Sequence, residues 1–231
     1  CSDYKPLAGG SPIAINTLVN AKLWEQIEDD FSKKVEYEIR TPQIEQLFYF
    51  SPIELENYKE YKDDKLILLI ATLDGKDEIS TFIQNSISGD IRARVEAGEQ
   101  NFFYEYDKFA DRQTYMLLVA NNKEELQAFI AESGSEVYQA VNQGFLTGQF
   151  EQIYNTAEEK ELSDDIFKEF GFSLRLPHDY DLLEIDTARH IIHLGVARPQ
   201  RNIIIYWMEG GFNKVVDENW ALRMKYWLMQ N

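Results

Sequence analysis

The three histidines are the residues best suited to bind a metal ion, because neutral imidazole is a common zinc ligand. His190 and His193 lie close together, and His178 lies upstream. Two side chains share one face of a strand at a spacing of two and one face of a helix at a spacing of four. The surrounding segment has the composition of a strand, so a spacing of three should direct the two imidazoles to opposite faces. The sequence predicts no metal site here.

Paired carboxylates could serve as the general acid and base of a hydrolase, and the chain has 40 acidic residues. Glu124-Glu125, Glu158-Glu159 and Asp164-Asp165 stand where helices are expected to begin, which is where negative charge is favoured. The sequence has no D-x-D-x-D-G loop, no G-x-S-x-G elbow and no phosphate-binding glycine loop, and Gly210-Gly211 is predicted to form a turn. We therefore predict no catalytic residues and no cofactor.

Cys1 is the only cysteine in the chain. In bacterial lipoproteins, signal peptidase cleaves before a cysteine whose thiol carries lipid. Residues 2–12 are rich in Gly, Pro and Ser, which predicts a flexible tether. A catalytic role for Cys1, with its own amine as base, would need a rigidly held terminus, and an artificially chosen terminus is a third alternative. We expect Cys1 to be the site of lipid attachment, so that the membrane contact runs through its acyl chains.

The charge balance narrows the range of partners. The chain has 23 basic and 40 acidic residues, for a net charge of -17. A field of this sign repels nucleic acid and anionic lipid headgroups, so we expect neither as a directly bound partner. With 231 residues, 44% of them hydrophobic, the chain can bury one large core or two small ones.

The hydrophobic pattern predicts an α+β fold. Residues 65–73 form an apolar run typical of a buried strand, and a helical stripe follows at Ile79, Phe82, Ile83 and Ile87. Residues 102–106 and 114–120 resemble the arms of a hairpin, and residues 51–54 form a capping box that predicts the start of a helix. Short connections between strands favour mainly antiparallel sheets with helices on one face.

The second half of the chain repeats features of the first at a constant offset of 135 residues. Leu68-Leu69-Ile70 corresponds to Ile203-Ile204-Ile205, and Arg40-Thr41-Pro42 to Arg175-Leu176-Pro177. This pattern predicts two duplicated α/β sandwich halves. We divide the chain into a tether at residues 1–12, an N-terminal half at 13–133 and a C-terminal half at 134–231. Ordinary recurrence of similar βα segments is the alternative.

A group of arginines and large aromatic residues near the C-terminus predicts a surface that binds a protein partner, because these residue types dominate interface hot spots. Arg189 and Tyr206 belong to the group, and the residues that we predict to bind the partner are Arg198, Arg201, Trp207, Arg223 and Trp227. The alternative is that the aromatic side chains form a core and the arginines solvate strand ends.

Several short stretches resemble an uncharacterised family of Bacteroidota outer-membrane lipoproteins, known only as a domain of unknown function. They are residues 1–6, Leu23-Trp24, residues 41–45 with Phe48, residues 201–206, and Arg223. The resemblance implies attachment to a bacterial outer membrane, on a face that it does not specify. It implies no enzymatic activity.

Together these features predict a non-enzymatic, lipid-anchored envelope protein, an accessory subunit or binding module of an outer-membrane protein assembly. Two alternatives stay open. One is an envelope hydrolase that acts on glycan or peptide through carboxylates that the sequence does not identify. The other is a lipoprotein that binds a small ligand in an apolar pocket between the two halves.

Overall fold

The computed structural model of the chain describes residues 5–40, 44–155, 157–198, 200–207 and 217–230. Its contacts divide the chain into two units, Cys1–Asn155 and Thr156–Asn231, here called unit 1 and unit 2. The boundary between residues 133 and 134 that the sequence suggested falls inside unit 1, between two of its helices.

The main sheet of unit 1 is built around one long apolar strand. The strands of this unit, in chain order, are β1 (Ala14–Leu18), β2 (Glu38–Arg40), β3 (Ile44–Gln46), β4 (Tyr49–Ile53), β5 (Leu66–Thr72), β6 (Phe102–Tyr106) and β7 (Thr114–Ala120). Five of them form a sheet in the order β4-β1-β5-β7-β6, and β2 pairs with β3 as a separate ribbon. The pairs β4-β1, β1-β5 and β5-β7 are parallel, and β6 is antiparallel to β7.

Helices cover both faces of this sheet. They are α1 (Ala21–Trp24), α2 (Glu28–Val35), α3 (Tyr58–Tyr61), α4 (Glu78–Ser86), α5 (Gly89–Glu96), α6 (Lys123–Ser133) and α7 (Ser135–Tyr154). The helices α2, α6 and α7 bury apolar side chains against Leu66, Leu68 and Ile70 of β5. The helices α4 and α5 pack on the other face, against Ile67 and Leu69. Because both faces are covered, every residue of β5 is buried, which explains the unbroken apolar run.

The α+β class predicted from the sequence is confirmed. Antiparallel pairing occurs in the β2-β3 ribbon and in unit 2, as expected. The main sheet differs from the expectation because its central strands are parallel and its helices lie on both faces. The physical reason is that helical segments connect β1 to β4 and β4 to β5, and a helical crossover permits parallel neighbours.

Several helix ends are marked by residues typical of caps. Asn20 and Asn122 each accept a hydrogen bond from a backbone N–H of the helix that follows, and Gly171, with φ of 76°, ends a helix of unit 2. The capping box at residues 51–54 was misleading, because these residues belong largely to β4. Pairing with β1 outweighs the local signal, and Pro52 is tolerated since β4 is an edge strand.

Unit 2 has a different strand topology from unit 1. Its elements are α8 (Lys160–Phe170), β8 (Asp181–Asp186), β9 (Ile191–Ala197), β10 (Gln200–Tyr206) and α9 (Glu218–Gln230). The strands form an antiparallel sheet in the order β10-β9-β8, over a small core that includes Ile166 and Leu194. The suggested repeat pairs the central parallel strand β5 with the antiparallel edge strand β10, so the described residues give it no support.

The glycine-rich segment near the N-terminus is held against unit 1. Its backbone bonds are Ala8 N–H to Asp111 O (2.9 Å), Gly9 N–H to Asp63 O (3.1 Å), Lys65 N–H to Gly9 O (3.0 Å) and Asp111 N–H to Pro6 O (2.8 Å). Gly10 has a positive φ, and a Cβ there would lie 2.5 Å from Asp64 Oδ2. Residues 6–10 therefore do not form a free tether, and their glycines serve close packing. Cys1 lies outside the described residues.

Among the helices that the structure describes, none combines the length and apolar character needed to cross a membrane.

Candidate ligand-binding groove

A groove in unit 1 lies between the N-terminal segment, the first residues of β5 and β7, and the second half of α7. Its cavity is about 290 Å³. The apolar part of the lining comes from Leu7, Pro12, Leu66 and Phe145. Two cationic side chains, Lys65 and Arg112, also line the cavity, with Thr114, Gln149 and Gln152 as neutral polar groups. This mixture of an apolar surface and a few polar groups is typical of ligand sites.

Two glycines on one face of α7 let the helix approach β7. A Cβ at Gly144 would lie 2.0 Å from Thr114 Oγ1, so only glycine fits at this position. At Gly148 a Cβ would lie 3.7 Å from Arg112 Cβ, which is ordinary van der Waals contact. The stem of Arg112 therefore crosses the bare backbone of α7 at Gly148. Because these two positions carry no side chain, α7 can lie close to β7 and Arg112, and no side chain from them fills the groove.

Arg112 is placed by an unusual backbone conformation. Its φ is 66°, and its backbone N–H donates to Asp107 Oδ1 at 2.5 Å. The side chain is 24% exposed, and Nε lies 3.7 Å from Glu151 Oε2. Within the described residues the guanidinium makes no hydrogen bond, although it carries five N–H donors. Arg112 also lines a second depression of about 200 Å³, together with Tyr106, Thr147, Asp107 and Glu151. The two carboxylates there disfavour a bound anion, so Arg112 is better placed to donate to an anionic group in the groove.

Lys65 and Asp64 hold the N-terminal wall of the groove. Lys65 Nζ donates to the carbonyls of Gly9 (3.2 Å) and Gly10 (3.1 Å). Asn16, which is buried, donates through Nδ2 to Asp64 Oδ2 at 2.8 Å. Burial raises the pKa of the Asp64 carboxyl, although the bond from Asn16 opposes this. Both side chains are thus engaged in structure, which leaves Arg112 as the cation with donors available.

A family model described as "Domain of unknown function (DUF8532)" matches residues 8–154, which is more than half of the chain. The chain belongs to this family. The matched span ends at Tyr154, the last residue of α7, so the DUF8532 domain corresponds closely to unit 1 and contains the groove. No curated protein and no solved structure shows significant similarity to the chain.

Beyond the DUF8532 domain, Trp207, one of the residues predicted to bind a partner, lies partly buried in unit 2. Its ring packs against Phe170 (4.9 Å between centroids), Phe172 (6.3 Å) and His190 (5.3 Å). These contacts place Trp207 with the small core of unit 2. The packing agrees with the alternative of an aromatic core residue, and the binding role of Trp207 stays a prediction.

The other residues predicted to bind a partner are exposed. Arg198 follows β9 and Arg201 lies on β10, so the two flank one hairpin turn. Arg223 and Trp227 lie one turn apart on α9. The Trp227 ring is 40% exposed and contacts Tyr206 with 5.4 Å between the centroids. The structure therefore brings Trp227 to β10 and leaves the arginines at the surface.

The histidines and paired carboxylates considered in the sequence analysis contact other groups of the protein. His193 Nε2 lies 2.9 Å from Asn202 Oδ1 on the neighbouring strand, and His190 stands in the turn before β9 with φ of 58°. Glu159 caps α8, and Glu158 forms a two-point ion pair with Arg175, with distances of 2.6 and 3.0 Å. In the described ranges, no cluster of three or more His, Cys, Asp or Glu side chains could hold a metal ion. Gly210 and Gly211 lie outside those ranges.

Sequence reasoning did not identify the groove. One signal for it was available: Gly144 and Gly148 stand four positions apart within a helical segment, and glycine in a helix interior usually has a packing reason. The partner of that glycine face, Arg112, lies more than thirty positions earlier in the chain, and no local pattern links the two.

Proposed function

We propose that this protein is a non-enzymatic binding module of a Bacteroidota cell envelope, anchored at the outer membrane through an acylated Cys1, and that the groove binds an anionic amphiphile. The hydrocarbon chain would lie along the apolar lining, and the anionic head would meet Arg112. The observation that carries the proposal is a partly buried guanidinium beside an apolar groove, 3.7 Å from Glu151 and without a hydrogen bond among the described residues.

The apolar lining supplies most of the binding free energy in this proposal. Each methylene group removed from water contributes about 0.8 kcal/mol. The cavity, at about 290 Å³, lies at the lower end of the range of roughly 300–1,000 Å³ for ligand pockets. This size suits one short hydrocarbon chain.

Charge then selects among apolar ligands. A carboxylate at Arg112 would form charge-assisted hydrogen bonds in a partly dehydrated place, where they are stronger than in water. The net charge of -17 repels small free anions at long range. An anion that also buries a chain overcomes this repulsion, which favours amphiphiles over simple salts.

The position of the N-terminal segment fits the proposed anchor. Leu7 and Pro12 form one wall of the groove, and the six Cα–Cα steps from Cys1 to Leu7 span at most about 22 Å. Acyl chains on Cys1 would therefore keep the groove near the bilayer surface, where amphiphiles are concentrated.

Titration calorimetry with decanoate and with decanol tests the proposed ligand. We expect decanoate to bind saturably and Arg112→Gln to weaken it by roughly tenfold, the effect of losing about 1.4 kcal/mol. Decanol should bind the variant and the parent protein alike. Arg223→Gln, which removes an exposed arginine on α9, is the matched control and should leave decanoate affinity unchanged. Equal effects of the two variants, or no decanoate binding, would contradict the proposal.

The anchor has a separate test. Intact-mass analysis of protein extracted from native outer membranes should give a mass above that of the unmodified chain, consistent with acyl and diacylglyceryl groups on Cys1. An unmodified cysteine in that preparation would remove the anchor from the proposal and leave the groove untouched.

A second candidate function, docking of an integral outer-membrane protein, is favoured by the surface of α9. Leu222, Tyr226 and Trp227 are 45%, 62% and 40% exposed, and Arg223 lies among them. Such residues form the hot spots of protein interfaces. Purification in mild detergent should yield a complex with a barrel protein that Trp227→Ala abolishes and Lys225→Ala preserves. Recovery as a lone monomer would count against this candidate.

A further inference from the structure

We propose that unit 1 contains a second ligand site, on the opposite face of its main sheet, which binds a small aromatic carboxylate. The cavity there is about 270 Å³. Its chemical character comes from four aromatic and two basic side chains, Tyr58, Lys62, Phe82, Lys108, Phe109 and Tyr115. The site lies on the face covered by α4 and α5, so the sheet separates it from the groove. It does not depend on the function proposed above.

A pair of tyrosine hydroxyls lies inside this pocket. The Oη atoms of Tyr58 and Tyr115 are 3.2 Å apart, and neither has another hydrogen-bond partner among the described residues. When one hydroxyl donates to the other, the second keeps its own O–H for a further acceptor. Burial raises the pKa of both phenols, so both stay protonated in the physiological range. The pocket therefore offers a neutral O–H donor.

Two lysines bring positive charge to the same place. Lys62 Nζ lies 5.4 Å from the centre of the Phe109 ring, and Lys108 Nζ lies 4.8 Å from that of Tyr115. Each lysine also pairs with a carboxylate, at 3.2 Å for Lys62 and 3.0 Å for Lys108. These ion pairs are substantially exposed and contribute little. An incoming carboxylate can therefore recruit both ammonium groups at small cost.

The shape of the pocket selects a planar ring. Tyr58 and Phe82 pack edge to face with centroids 5.2 Å apart, and Phe109 and Tyr115 do the same at 5.3 Å. An aromatic ligand can extend these edge-to-face contacts, which an aliphatic chain cannot. A monocarboxylate suits the donors because one O–H and two ammonium groups line the same pocket. The acidic protein as a whole disfavours a dianion.

The pocket is also preorganised. Gln113, only 1% exposed, donates through Nε2 to the carbonyls of Lys62 (2.7 Å) and Asp64 (2.8 Å). Its Oε1 accepts from the backbone N–H of Phe109 at 2.9 Å. These three bonds fix the backbone at Lys62, Asp64 and Phe109, and so hold Lys62 close to Phe109. Less ordering is then needed when a ligand binds.

Benzoate, with benzyl alcohol as its neutral counterpart, is the probe. In a titration followed by amide chemical shifts at pH 7, benzoate should bind saturably and more tightly than benzyl alcohol. We expect Lys108→Gln and Tyr115→Phe each to weaken benzoate binding by roughly three- to tenfold. If Tyr115→Phe is unstable, Tyr58→Phe tests the same hydroxyl pair. Lys59→Gln, an exposed lysine on α3, is the control and should change the affinity less than twofold.

Three results would overturn this inference. They are the absence of benzoate binding, equal binding of benzyl alcohol, and an equal loss in Lys59→Gln and Lys108→Gln. Competition between decanoate and benzoate would also overturn it, by placing both ligands in the groove. Decanoate binding that persists while benzoate fails to bind would refute the second site alone, so the two proposals fail separately.

Discussion

The buried side-chain amide of Gln113 donates a hydrogen bond of 2.7 Å to the backbone carbonyl of Lys62, which lies 51 positions earlier in the sequence. Gln113 stands between Arg112, which lines the groove, and Thr114, which begins β7. The Gln113 amide fixes the backbone beside the aromatic pocket. The adjacent residue, Arg112, lines the groove on the other face of the sheet. One short segment therefore supports both candidate sites.

Replacing Gln113 tests this role. Gln113→Leu leaves the carbonyls of Lys62 and Asp64 and the N–H of Phe109 without their partner, and we expect a loss of about 2–4 kcal/mol in the free energy of unfolding. Urea denaturation provides the measurement. Gln143→Leu, at an exposed position of α7, should change stability by less than about 0.5 kcal/mol. Similar losses in the two variants would show that the buried bonds are unimportant.

The two glycines of α7 should respond differently to alanine. At Gly144 the new Cβ would overlap Thr114 Oγ1, so Gly144→Ala should destabilise the protein by about 1–3 kcal/mol. At Gly148 there is room, and Gly148→Ala should be neutral or stabilise by up to about 1 kcal/mol through helix propensity. Thermal unfolding distinguishes the two. Adding Thr114→Ala should recover part of the loss at Gly144, and no recovery would argue against the clash.

Asp77 caps α4 and should contribute to stability in a pH-dependent way. Its Oδ1 accepts from the N–H of Ser80 at 2.9 Å, and its Oδ2 accepts from Ser80 Oγ at 2.6 Å. Burial alone would raise the pKa of Asp77, but the hydrogen bonds from Ser80 lower it overall. Asp77→Ala should cost about 1 kcal/mol at pH 7, and Asp77→Asn less.

Because the folded pKa of Asp77 is lowered, the stabilisation exists above the unfolded value and is lost as the pH falls through the folded one. The difference between Asp77→Ala and the parent protein should therefore shrink in urea midpoints measured from pH 7 down to pH 3. A difference that stays constant over this range would refute the ionised cap.

Asp64 should show the opposite dependence on pH. Burial raises the pKa of this carboxyl in the folded protein, so the stability linked to it is greatest below the unfolded value and declines as the pH rises through the folded pKa. Asp64→Asn keeps an oxygen for Asn16 and cannot ionise. The urea midpoint of Asp64→Asn should rise relative to that of the parent protein between about pH 4 and pH 7. A gain in the reverse direction would contradict the raised pKa.

The elements whose signals are local could be predicted from the sequence. The strand β5, the helix α4 and the β6-β7 hairpin lie close to the expected residues, because each carries its own apolar period. The α+β class follows from these elements alone.

Features that depend on distant partners could not be predicted. Whether Tyr49–Ile53 becomes a strand depends on β1, which lies some thirty residues earlier. The sequence groups Trp207 with Arg198, Arg201 and Arg223, whereas in the structure its ring packs against Phe170 and Phe172. The groove requires α7 to dock on β7, so Arg112 acquired significance only when the fold placed it over Gly148.

The docked segment at residues 6–10 has a mechanical consequence. Its backbone bonds to Asp63, Lys65 and Asp111 lie side by side, so tension applied from the amino terminus is shared among them before it reaches the sheet. Since this attachment is at the amino ends of β5 and β7, pulling on the terminus would orient unit 1 with that edge toward the source of the force.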